Sequence, residues 1–487
     1  MQSHKKFAFD VGITFIASMI SMLLGFVITI ILGRQLGAEE LGLYRMASTI
    51  YGIAMLFAAI GIPAAIIKYV AEYKGDRRKT NSIVSAGVIT SLLLGIGFSL
   101  LFFFLSGIFE GIFKMQGLSS LLKILSPVFP FALVSGTLLG FLNGLREMKK
   151  YGIATILQSV LMLIVSLVLI YQGLGVAGVV IGIVISSIGS CFYLIKISKP
   201  YFKILLEEYA QTTKEMLLFG VQIFGANAIN LINYQADTLL IGYFLTASDV
   251  GYYGVAVAFS TFIWLVPQAI QTITYPATSE YWSTNNHAAI QVMFDKSFKY
   301  TTCILLPLGL GTEFFSREIV TIMFGKDFVY SALPLQILIV GAVIYGITAK
   351  TIGGSTSAVG RPDINLKLVS ISAVSNIILN LALIPNFGII GAAIATATSF
   401  IITSLLFLIW SIKLFSFKID QAWIKKMMSG VFLSIFFFNI GQFFVKKYII
   451  GFIILFIFTF AVLSIFLTKE DRKYFMKLIT IESFLII

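Results

Sequence analysis

Residues 31–47 read ILGRQLGAEELGLYRMA, and residues 240–256 read LIGYFLTASDVGYYGVA. Six of the 17 aligned pairs are identical, and the two stretches are 209 residues apart. A second match, at a shift of 213, joins residues 175–186 to residues 388–399 through two glycines, an isoleucine and a serine. Because the two matches occur at nearly the same shift, the sequence predicts an internal repeat of about 210 residues.

The composition indicates a membrane protein. Of the 487 residues, 58% are hydrophobic and only 12% are charged, whereas a soluble chain carries about 25% charged residues. The net charge of +13 is divided among short patches between apolar runs, which favours membrane topology over binding of nucleic acid. With two cysteines and two histidines, the chain predicts neither a disulfide framework nor a metal site, and we expect no cofactor.

Apolar runs of the length that a bilayer-spanning helix needs, about 20 residues, occur fourteen times. Their approximate limits are 11–33, 43–67, 83–107, 119–143, 152–171, 175–195, 216–244, 250–275, 301–324, 333–359, 368–385, 388–410, 429–445 and 448–468. With the N-terminus inside, 27 of the 35 Lys and Arg fall on the cytoplasmic side, as the positive-inside rule expects. We therefore predict an all-α integral protein of the cell membrane with 14 transmembrane helices and both termini in the cytoplasm.

The repeat and the spans together define the domain organisation. Each repeat contains six predicted helices, so the chain returns to the same side and the two repeats run parallel. The predicted units are residues 1–210, residues 211–412, and residues 413–487, the last with two additional helices and a cytoplasmic tail. Parallel repeats of this kind are typical of transporters that carry a substrate between their halves by alternating access.

Short motifs follow one another along these helices in a characteristic order. They are Leu32-Gly33-Arg34-Gln35-Leu36-Gly37, Gly42-x-Tyr44, Asp237-x-x-x-x-Gly242, Phe324-Gly325, Gly360-Arg361-Pro362, Asn376-x-x-x-Asn380 and Pro385-Asn386-x-Gly388-x-x-Gly391. Their order and spacing resemble the polysaccharide transport family, the Wzx-type flippases of the multidrug/oligosaccharidyl-lipid/polysaccharide (MOP) superfamily. The resemblance implies a MATE-like fold. It also implies a flippase that moves a polyprenyl- or dolichyl-linked oligosaccharide from the inner to the outer leaflet.

The seventh predicted helix carries an acidic residue, Asp237, inside an apolar span. Gln222, Asn230, Asn233 and Asp237 recur at helical spacing, so they share one face. A charge in the bilayer core costs at least about 2.5 kcal/mol, which makes Asp237 a functional candidate. In the functional interpretation the amides bind sugar hydroxyls and Asp237 binds a coupling proton or sodium ion. In the alternative, these side chains only bond to neighbouring helices and stabilise packing.

Lys350 is the main candidate for binding a phosphate. It precedes Arg361 by 11 residues, which places it about 16 Å along the helix from the cytoplasmic surface. The glycines and hydroxyls of residues 353–357 predict a break in the helix beside a polar cavity. A phosphate that enters the membrane needs positive charge to replace its lost hydration, and Lys350 can supply that charge. The alternative is an ion pair between Lys350 and Asp237.

Three further basic residues are candidates for the transport path. Arg34 and Arg45 lie at the predicted outer ends of helices one and two, where they either face the path or extend to lipid headgroups. Lys68 lies at the inner end of helix two, where it either meets an incoming phosphate or anchors the topology. Membrane lipids are expected as the general surroundings of all these helices.

Other polar residues in the spans favour structural roles. Glu313 and Arg317 are four residues apart in helix nine and predict an ion pair. Asn376 and Asn380 share a face of helix eleven and predict interhelical hydrogen bonds. The sequence contains no P-loop and no catalytic set of His, Ser and Asp, so an enzyme is not expected.

Three transport functions and one enzyme class compete. We expect a flippase for a lipid-linked oligosaccharide, because the motifs follow that order and the spans contain basic as well as acidic residues. A proton- or sodium-coupled multidrug antiporter would prefer acidic residues, yet the repeat equivalent of Asp237 is Ile28. A peptidoglycan-precursor flippase usually carries arginines in helix eight, and residues 250–275 contain no charge. A membrane glycosyltransferase would need a large polar loop with acidic metal ligands, which the sequence lacks.

Overall fold

The structure is a computed structural model. It describes residues 2–418 and 420–462, apart from the side chains of residues 2–9, 11, 226 and 230. The end of the fourteenth predicted span and the predicted cytoplasmic tail lie outside the described residues.

The described chain is helical. The α-helices are α1 (Gln2–Ala59), α2 (Ile62–Glu72), α3 (Arg77–Phe113), α4 (Leu118–Leu125), α5 (Val128–Gly144), α6 (Met148–Leu169), α7 (Gly175–Ser198), α8 (Tyr209–Phe244), α9 (Ala247–Phe262), α10 (Leu265–Ser283), α11 (His287–Phe324), α12 (Ala332–Tyr345), α13 (Gly354–Ala358), α14 (Pro362–Phe415), α15 (Gln421–Gly441) and α16 (Lys447–Ala461). Ile170–Leu174 and Gly346–Lys350 are π-helical turns, and Lys326–Ser331 is a 3-10 helix. No strand occurs in the described ranges, and the all-α membrane fold class is confirmed.

Six continuous helical stretches are long and apolar enough to cross a membrane, and three bent helix pairs raise this number to nine over the described residues. Three of the six stretches have 48, 51 and 54 residues, enough for two spans each. Each of these three contains a glycine with non-helical backbone angles: Gly37, Gly173 and Gly388. Helices α11 and α16 occupy the remaining two predicted spans, so every one of the fourteen predicted spans is represented by helix.

Glycines produce the sharp turns between paired spans. Gly175 has φ 54° and ψ −137°, and Gly388 has φ 61° and ψ −141°. These are the two residues that the 213-residue shift aligns. Such angles are essentially restricted to glycine because a Cβ atom would clash with the backbone. The two repeats therefore make the same turn at the same position.

Polar side chains cap the N-termini of three helices that follow predicted cytoplasmic loops. Asp76 accepts a hydrogen bond from the backbone N–H of Lys79 at the start of α3. Asp420 does the same for Trp423 at the start of α15, and Asn286 caps α11. Each cap satisfies a backbone donor that the first helical turn leaves without a partner, so it fixes where the helix begins.

The chain forms two compact units. Over the described residues, one contains residues 2–254 and 384–389, and the other contains residues 255–383, 390–418 and 420–462. The core of the first unit includes the buried residues Ile62, Ile66, Val84, Phe141 and Met216. The boundaries predicted from the repeat, at residues 210 and 412, stay a prediction, because compact packing and internal symmetry are different properties.

Within the second unit, the two additional helices pack on α11. Phe314 of α11 stacks on Phe438 of α15 with 4.0 Å between ring centroids. Phe315 contacts Phe452 of α16, and Glu318 forms an ion pair with Lys447 at 3.2 Å. Near its start, α15 also contacts α11 through Trp423, whose ring lies 6.1 Å from that of Phe298. Helices α15 and α16 are therefore joined to the second unit along α11, by ring contacts and by an ion pair.

Candidate functional site

The repeated stretches contact each other inside the first unit. A methyl group at Gly42 would lie 1.7 Å from the carbonyl oxygen of Ala247. A methyl group at Gly251 would lie 2.1 Å from the carbonyl oxygen of Ala38. Ala38 aligns with Ala247, and Gly42 aligns with Gly251, so the contact is symmetric. Helices α1 and α9 approach this closely only because both positions lack a side chain.

A second glycine contact lies where α1 ends. A methyl group at Gly61 would be 2.4 Å from the carbonyl oxygen of Gly220 on α8. A methyl group at Gly220 would lie 2.1 Å from the carbonyl oxygen of Ile60. The helices of the first predicted repeat therefore meet those of the second at two separate levels within this unit.

Asp237 is buried near the symmetric contact. Asp237 is 4% exposed, and the hydroxyl of Tyr253 donates a hydrogen bond of 2.7 Å to its Oδ2. Close by on the same helix, Gln235 Oε1 accepts a hydrogen bond of 3.0 Å from the hydroxyl of Thr49 on α1. Sequence analysis did not identify Tyr253 as a partner of Asp237, although its alignment with Tyr44 was a usable signal. The geometry gives a buried acid fixed by a phenol.

Arg45 lies directly against the residue that aligns with it in the other repeat. A methyl group at Gly254 would be 3.3 Å from both Cγ and Nε of Arg45. The Nε atom is buried and has no hydrogen-bond partner among the described residues. A buried guanidinium N–H without a partner is uncommon, because desolvation of a donor costs free energy that a hydrogen bond normally offsets. This part of Arg45 can therefore still hydrogen-bond an anion.

Lys350 lies in an aromatic environment inside the second unit. It ends the π-helical turn Gly346–Lys350, and Thr351 and Gly353 keep right-handed helical angles before the short helix α13. The break that the glycines predicted is wrong, because Lys326–Ala358 is one continuous helical stretch. Its Nζ is 5.1 Å from the ring centroid of Trp264 and 5.9 Å from that of Tyr345. Trp264 donates a hydrogen bond of 2.9 Å to the carbonyl of Ala342, which fixes the ring. Cation–π attraction stabilises the ammonium group.

The other candidate side chains have varied environments. Arg34, Lys68 and Gln222 are exposed, and Asn233 is half-buried. The Lys68 ammonium lies 4.5 Å from the ring centroid of Phe219 and 4.7 Å from that of Tyr69. The side chain of Asn230 lies outside the described residues. Of the predicted site residues, Asp237 and Arg45 lie near the symmetric contact, and Lys68 lies between the rings of Tyr69 and Phe219.

Asn376 forms a hydrogen bond between predicted spans eleven and twelve, as predicted, whereas the hydrogen bonds of Asn380 stay within its own helix. Asn376 donates to the hydroxyl of Thr396 at 3.2 Å, and Asn380 donates to the Asn376 side-chain oxygen at 3.0 Å. Both asparagines are buried. They therefore have the structural role that the sequence favoured.

The predicted ion pair between Glu313 and Arg317 is wrong. Helix α11 has non-helical angles at Phe315, with φ −113° and ψ 17°, so the four-residue spacing no longer aligns the two side chains. Arg317 is exposed, while Glu313 Oε2 is buried without a hydrogen-bond partner among the described residues. No group of three or more His, Cys, Asp or Glu side chains suited to a metal ion occurs among the described residues.

Residues 31–333 match the family described as polysaccharide biosynthesis protein, which covers more than half of the chain. The chain belongs to this family. The family was expected from the motif order, and the match confirms it. A curated relative, "Probable low-salt glycan biosynthesis flippase Agl15" of Haloferax volcanii, is 25% identical over 80% of this chain and 80% of its own length.

Two solved structures show the fold. "Lipid II flippase MurJ, inward closed conformation" superposes with a TM-score of 0.76 and 21% identity over 92% of this chain and 98% of its own. A multidrug resistance MATE family transporter of the MOP superfamily, in an inward-facing conformation, superposes with a TM-score of 0.67. The identity is 14% over 81% of this chain and 94% of its own. The chain therefore has the helical fold of these two proteins.

Proposed function

We propose that this protein is a flippase that moves a lipid-linked oligosaccharide from the inner to the outer leaflet of the cell membrane. The observation that carries the proposal is Arg45, whose buried Nε donor has no hydrogen-bond partner among the described residues. A phosphate or diphosphate head is the anionic group that such a lipid presents. The family match and the name of the Haloferax relative support the choice of a glycan substrate.

In this mechanism each candidate side chain has a separate task. Arg45 binds the phosphate head, with Arg34 assisting near the predicted outer surface, and Lys350 of the other compact unit offers a separate positive charge to the same kind of group. Lys68 meets the incoming head near the predicted cytoplasmic surface. The amides of Gln222, Asn230 and Asn233 hydrogen-bond sugar hydroxyls, while the polyprenyl tail stays in the lipid.

Asp237 is proposed to couple the transport cycle to an ion gradient. A proton or a sodium ion bound at this carboxylate would change the charge that faces Tyr253. One elementary charge that crosses the full membrane potential contributes about 2.3 kcal/mol per 100 mV, so an ion gradient suffices to bias the cycle. Both termini are proposed to lie in the cytoplasm, in keeping with the distribution of Lys and Arg.

A second candidate is a cation-coupled multidrug antiporter. The observation in its favour is the buried carboxylate of Asp237, which would suit a cationic drug. Against it, two of the other charged residues inside the predicted spans, Arg45 and Lys350, are basic.

A flipping assay in proteoliposomes distinguishes these functions. The assay follows a fluorescent lipid-linked oligosaccharide with the wild type, Lys350→Ala and Asp237→Asn, and folding is checked by size-exclusion chromatography. We expect translocation by the wild type and loss of translocation in both variants. If the wild type moves no lipid-linked sugar but extrudes a cationic dye in exchange for protons or sodium, the antiporter replaces the flippase.

A further inference from the structure

A cavity of about 400 Å³ lies at the predicted cytoplasmic end of the first unit. Its walls are the end of α2, the start of α3, the start of α8 and residues 199–208, the connector that joins α7 to α8. Ligand pockets have volumes of about 300 to 1,000 Å³, so this connector cavity can hold a small polar molecule or one part of a larger one. Arg45 and Asp237 do not line it, so the proposed mechanism leaves it without a task.

The connector is fixed to α3, which gives the cavity a defined wall. The hydroxyl of Ser82 donates a hydrogen bond of 2.7 Å to the backbone carbonyl of Glu207. The hydroxyl oxygen of Ser85 accepts one of 2.9 Å from the backbone N–H of Leu205. The Arg78 side chain also forms an ion pair with Glu207. A ligand therefore does not have to order this wall, which lowers the entropy cost of binding.

Two tyrosine rings at the end of α2, Tyr69 and Tyr73, line part of the cavity. The ring of Tyr69 contacts that of Phe219 edge-on, with 5.9 Å between centroids. The Lys79 ammonium lies 4.0 Å from the ring centroid of Tyr73. Both rings are therefore held in place. A tyrosine offers an apolar ring face beside a polar hydroxyl, which suits a sugar ring because it carries C–H groups as well as hydroxyls.

The charged lining of the cavity contains more acidic than basic side chains. A phosphate would be repelled by this excess of negative charge, whereas a sugar hydroxyl can donate a hydrogen bond to a carboxylate. The cavity therefore favours an uncharged ligand that is rich in hydroxyl groups. The acidic residues are Asp76, Glu207, Glu208 and Glu215, and the basic residues are Arg78 and Lys79.

Two polar side chains of the lining keep acceptor atoms for a ligand. The amide nitrogen of Gln211 donates a hydrogen bond of 3.2 Å to Glu215, while the Gln211 side-chain oxygen accepts none from the described residues. The carboxylate of Glu208 likewise accepts no hydrogen bond from the part of the chain that the structure describes, and both residues are exposed. Their oxygens can therefore accept hydrogen bonds from sugar hydroxyls.

The cavity lies beside residues that the proposed function assigns to the substrate. Tyr69 lines the cavity, and the Lys68 ammonium is 4.7 Å from the centroid of its ring. A phosphate at Lys68 and a sugar in the cavity would therefore both be next to Tyr69. On α8, Gln211 and Glu215 precede Gln222 by 11 and 7 residues, so the three share one helix face. The amides proposed to bind sugars thus continue from the cavity along the same face.

We propose that the connector cavity binds a sugar of the lipid-linked oligosaccharide on the cytoplasmic side, before transport, while Lys68 binds its phosphate. The identity of this ligand rests on the proposed function. Glu208 and Gln211 accept hydrogen bonds from sugar hydroxyls, and Tyr69 provides an apolar face. The cavity thus recognises the glycan part of the substrate, separately from the phosphate.

Binding of a lipid-free sugar tests the cavity directly. The fluorescent oligosaccharide of the flipping assay, released from its lipid and phosphates by mild acid, is titrated with the full-length protein in detergent, and its anisotropy is followed. We expect saturable binding by the wild type. Binding by Glu208→Ala and by Gln211→Ala should be about fivefold weaker, the effect of losing one hydrogen bond.

Glu72→Ala is the matched control for these two variants. Glu72 is an exposed carboxylate at the end of α2 that does not line the cavity, so its variant should bind the sugar like the wild type. All three substitutions change exposed residues, and size-exclusion chromatography checks that the variants are folded. Absence of binding by the wild type, or equal binding by all four proteins, would overturn the proposal. Displacement of the sugar by inorganic diphosphate would also overturn it.

A sugar-free lipid separates this proposal from the proposed function. Glu208→Ala and Gln211→Ala should bind polyprenyl diphosphate as tightly as the wild type does, and weaker binding would contradict a role limited to the sugar. Loss of sugar binding in both variants, together with a wild type that flips no lipid-linked oligosaccharide, would support the cavity and overturn the flippase. Flipping by the wild type, together with normal sugar binding by both variants, would support the flippase and overturn the cavity.

Discussion

Residues 38–47 and 247–256 form matching halves of one contact, yet they differ in the residues that carry charge. Gly42 and Gly251 each face the backbone of the opposite stretch, at positions that the repeat aligns. By contrast, Arg45 aligns with Gly254, and Asp237 on the preceding helix aligns with Ile28. The residues that determine the close approach are the same in both repeats, and the acidic Glu40 and Asp249 also align, whereas Arg45 and Asp237 each occur in only one repeat.

This difference separates two requirements on the sequence. Two helices can pack this closely only if neither has a side chain at the contact, so the symmetric contact is stable only if both repeats keep glycine. An anionic substrate and a coupling cation need opposite charges at different places, which a symmetric pair of residues could not provide. In this account, symmetry serves the fold and asymmetry serves transport.

The largest expected effect comes from breaking the symmetric contact. In Gly42→Ala the new methyl group would collide with the Ala247 carbonyl, which cannot move without displacing α9. We expect a loss of about 3 kcal/mol in the free energy of unfolding, at the upper end of overpacking costs. Thermal unfolding in detergent measures this, and Gly251→Ala should lose a similar amount.

Gly52→Ala is the matched control for this prediction. Gly52 lies on the same helix, and a methyl group there would meet nothing within 4 Å. We expect its stability to stay the same or to rise by up to about 1 kcal/mol, the difference in helix propensity. Equal destabilisation by both substitutions would show that the close contact is not the cause.

A smaller effect is expected from removing the partner of Asp237. Tyr253→Phe deletes the hydroxyl that donates to the buried carboxylate, and a hydrogen bond to a charged group contributes about 2 kcal/mol. The aligned substitution Tyr44→Phe faces no equivalent acid, because Ile28 replaces Asp237 in the first repeat. Thermal unfolding should therefore separate the two variants, and equal losses would contradict the asymmetry at this position.

The smallest expected effect concerns the shared turns. Gly175→Ala and Gly388→Ala place a Cβ atom at positive φ, which costs about 1 to 2 kcal/mol in each case. Because the two residues have nearly the same angles, their losses should agree within about 0.5 kcal/mol. Gly97→Ala, in an exposed part of α3 with open space around it, provides the control. A large difference between Gly175→Ala and Gly388→Ala would argue against equivalent turns.

Much of the fold was predictable because it follows from local properties of the sequence. Apolar length determined the helices, and the alignment of Gly175 with Gly388 was evidence for the repeat in which both turns occur at the same position. The alignment of Gly42 with Gly251 also marked the contact between the repeats, since a glycine that recurs in both repeats indicates a requirement for space. Each of these signals depends on the residue itself and on its neighbours along the chain.

The arrangement of the candidate site was only partly predictable. Asp237 and Lys350 could be identified as charges inside apolar spans. The rings around Lys350 come from different helices, and nothing in the local sequence relates Trp264 to Lys350. The prediction of an ion pair between Glu313 and Arg317 was wrong because the helix is irregular at Phe315, and no proline or glycine at that residue signals the irregularity. Side-chain partners depend on tertiary packing, which spacing along one helix does not report.

The most direct test of the central claim measures flipping of a diphosphate-linked oligosaccharide by wild type, Arg45→Ala, Arg45→Lys and Arg317→Ala in proteoliposomes. Arg317, an exposed arginine on α11, controls for the loss of one positive charge. We predict that Arg45→Ala reduces the flipping rate at least tenfold, that Arg45→Lys keeps part of it, and that Arg317→Ala equals the wild type. Flipping by Arg45→Ala at the wild-type rate would contradict the claim that the asymmetric charge binds the substrate.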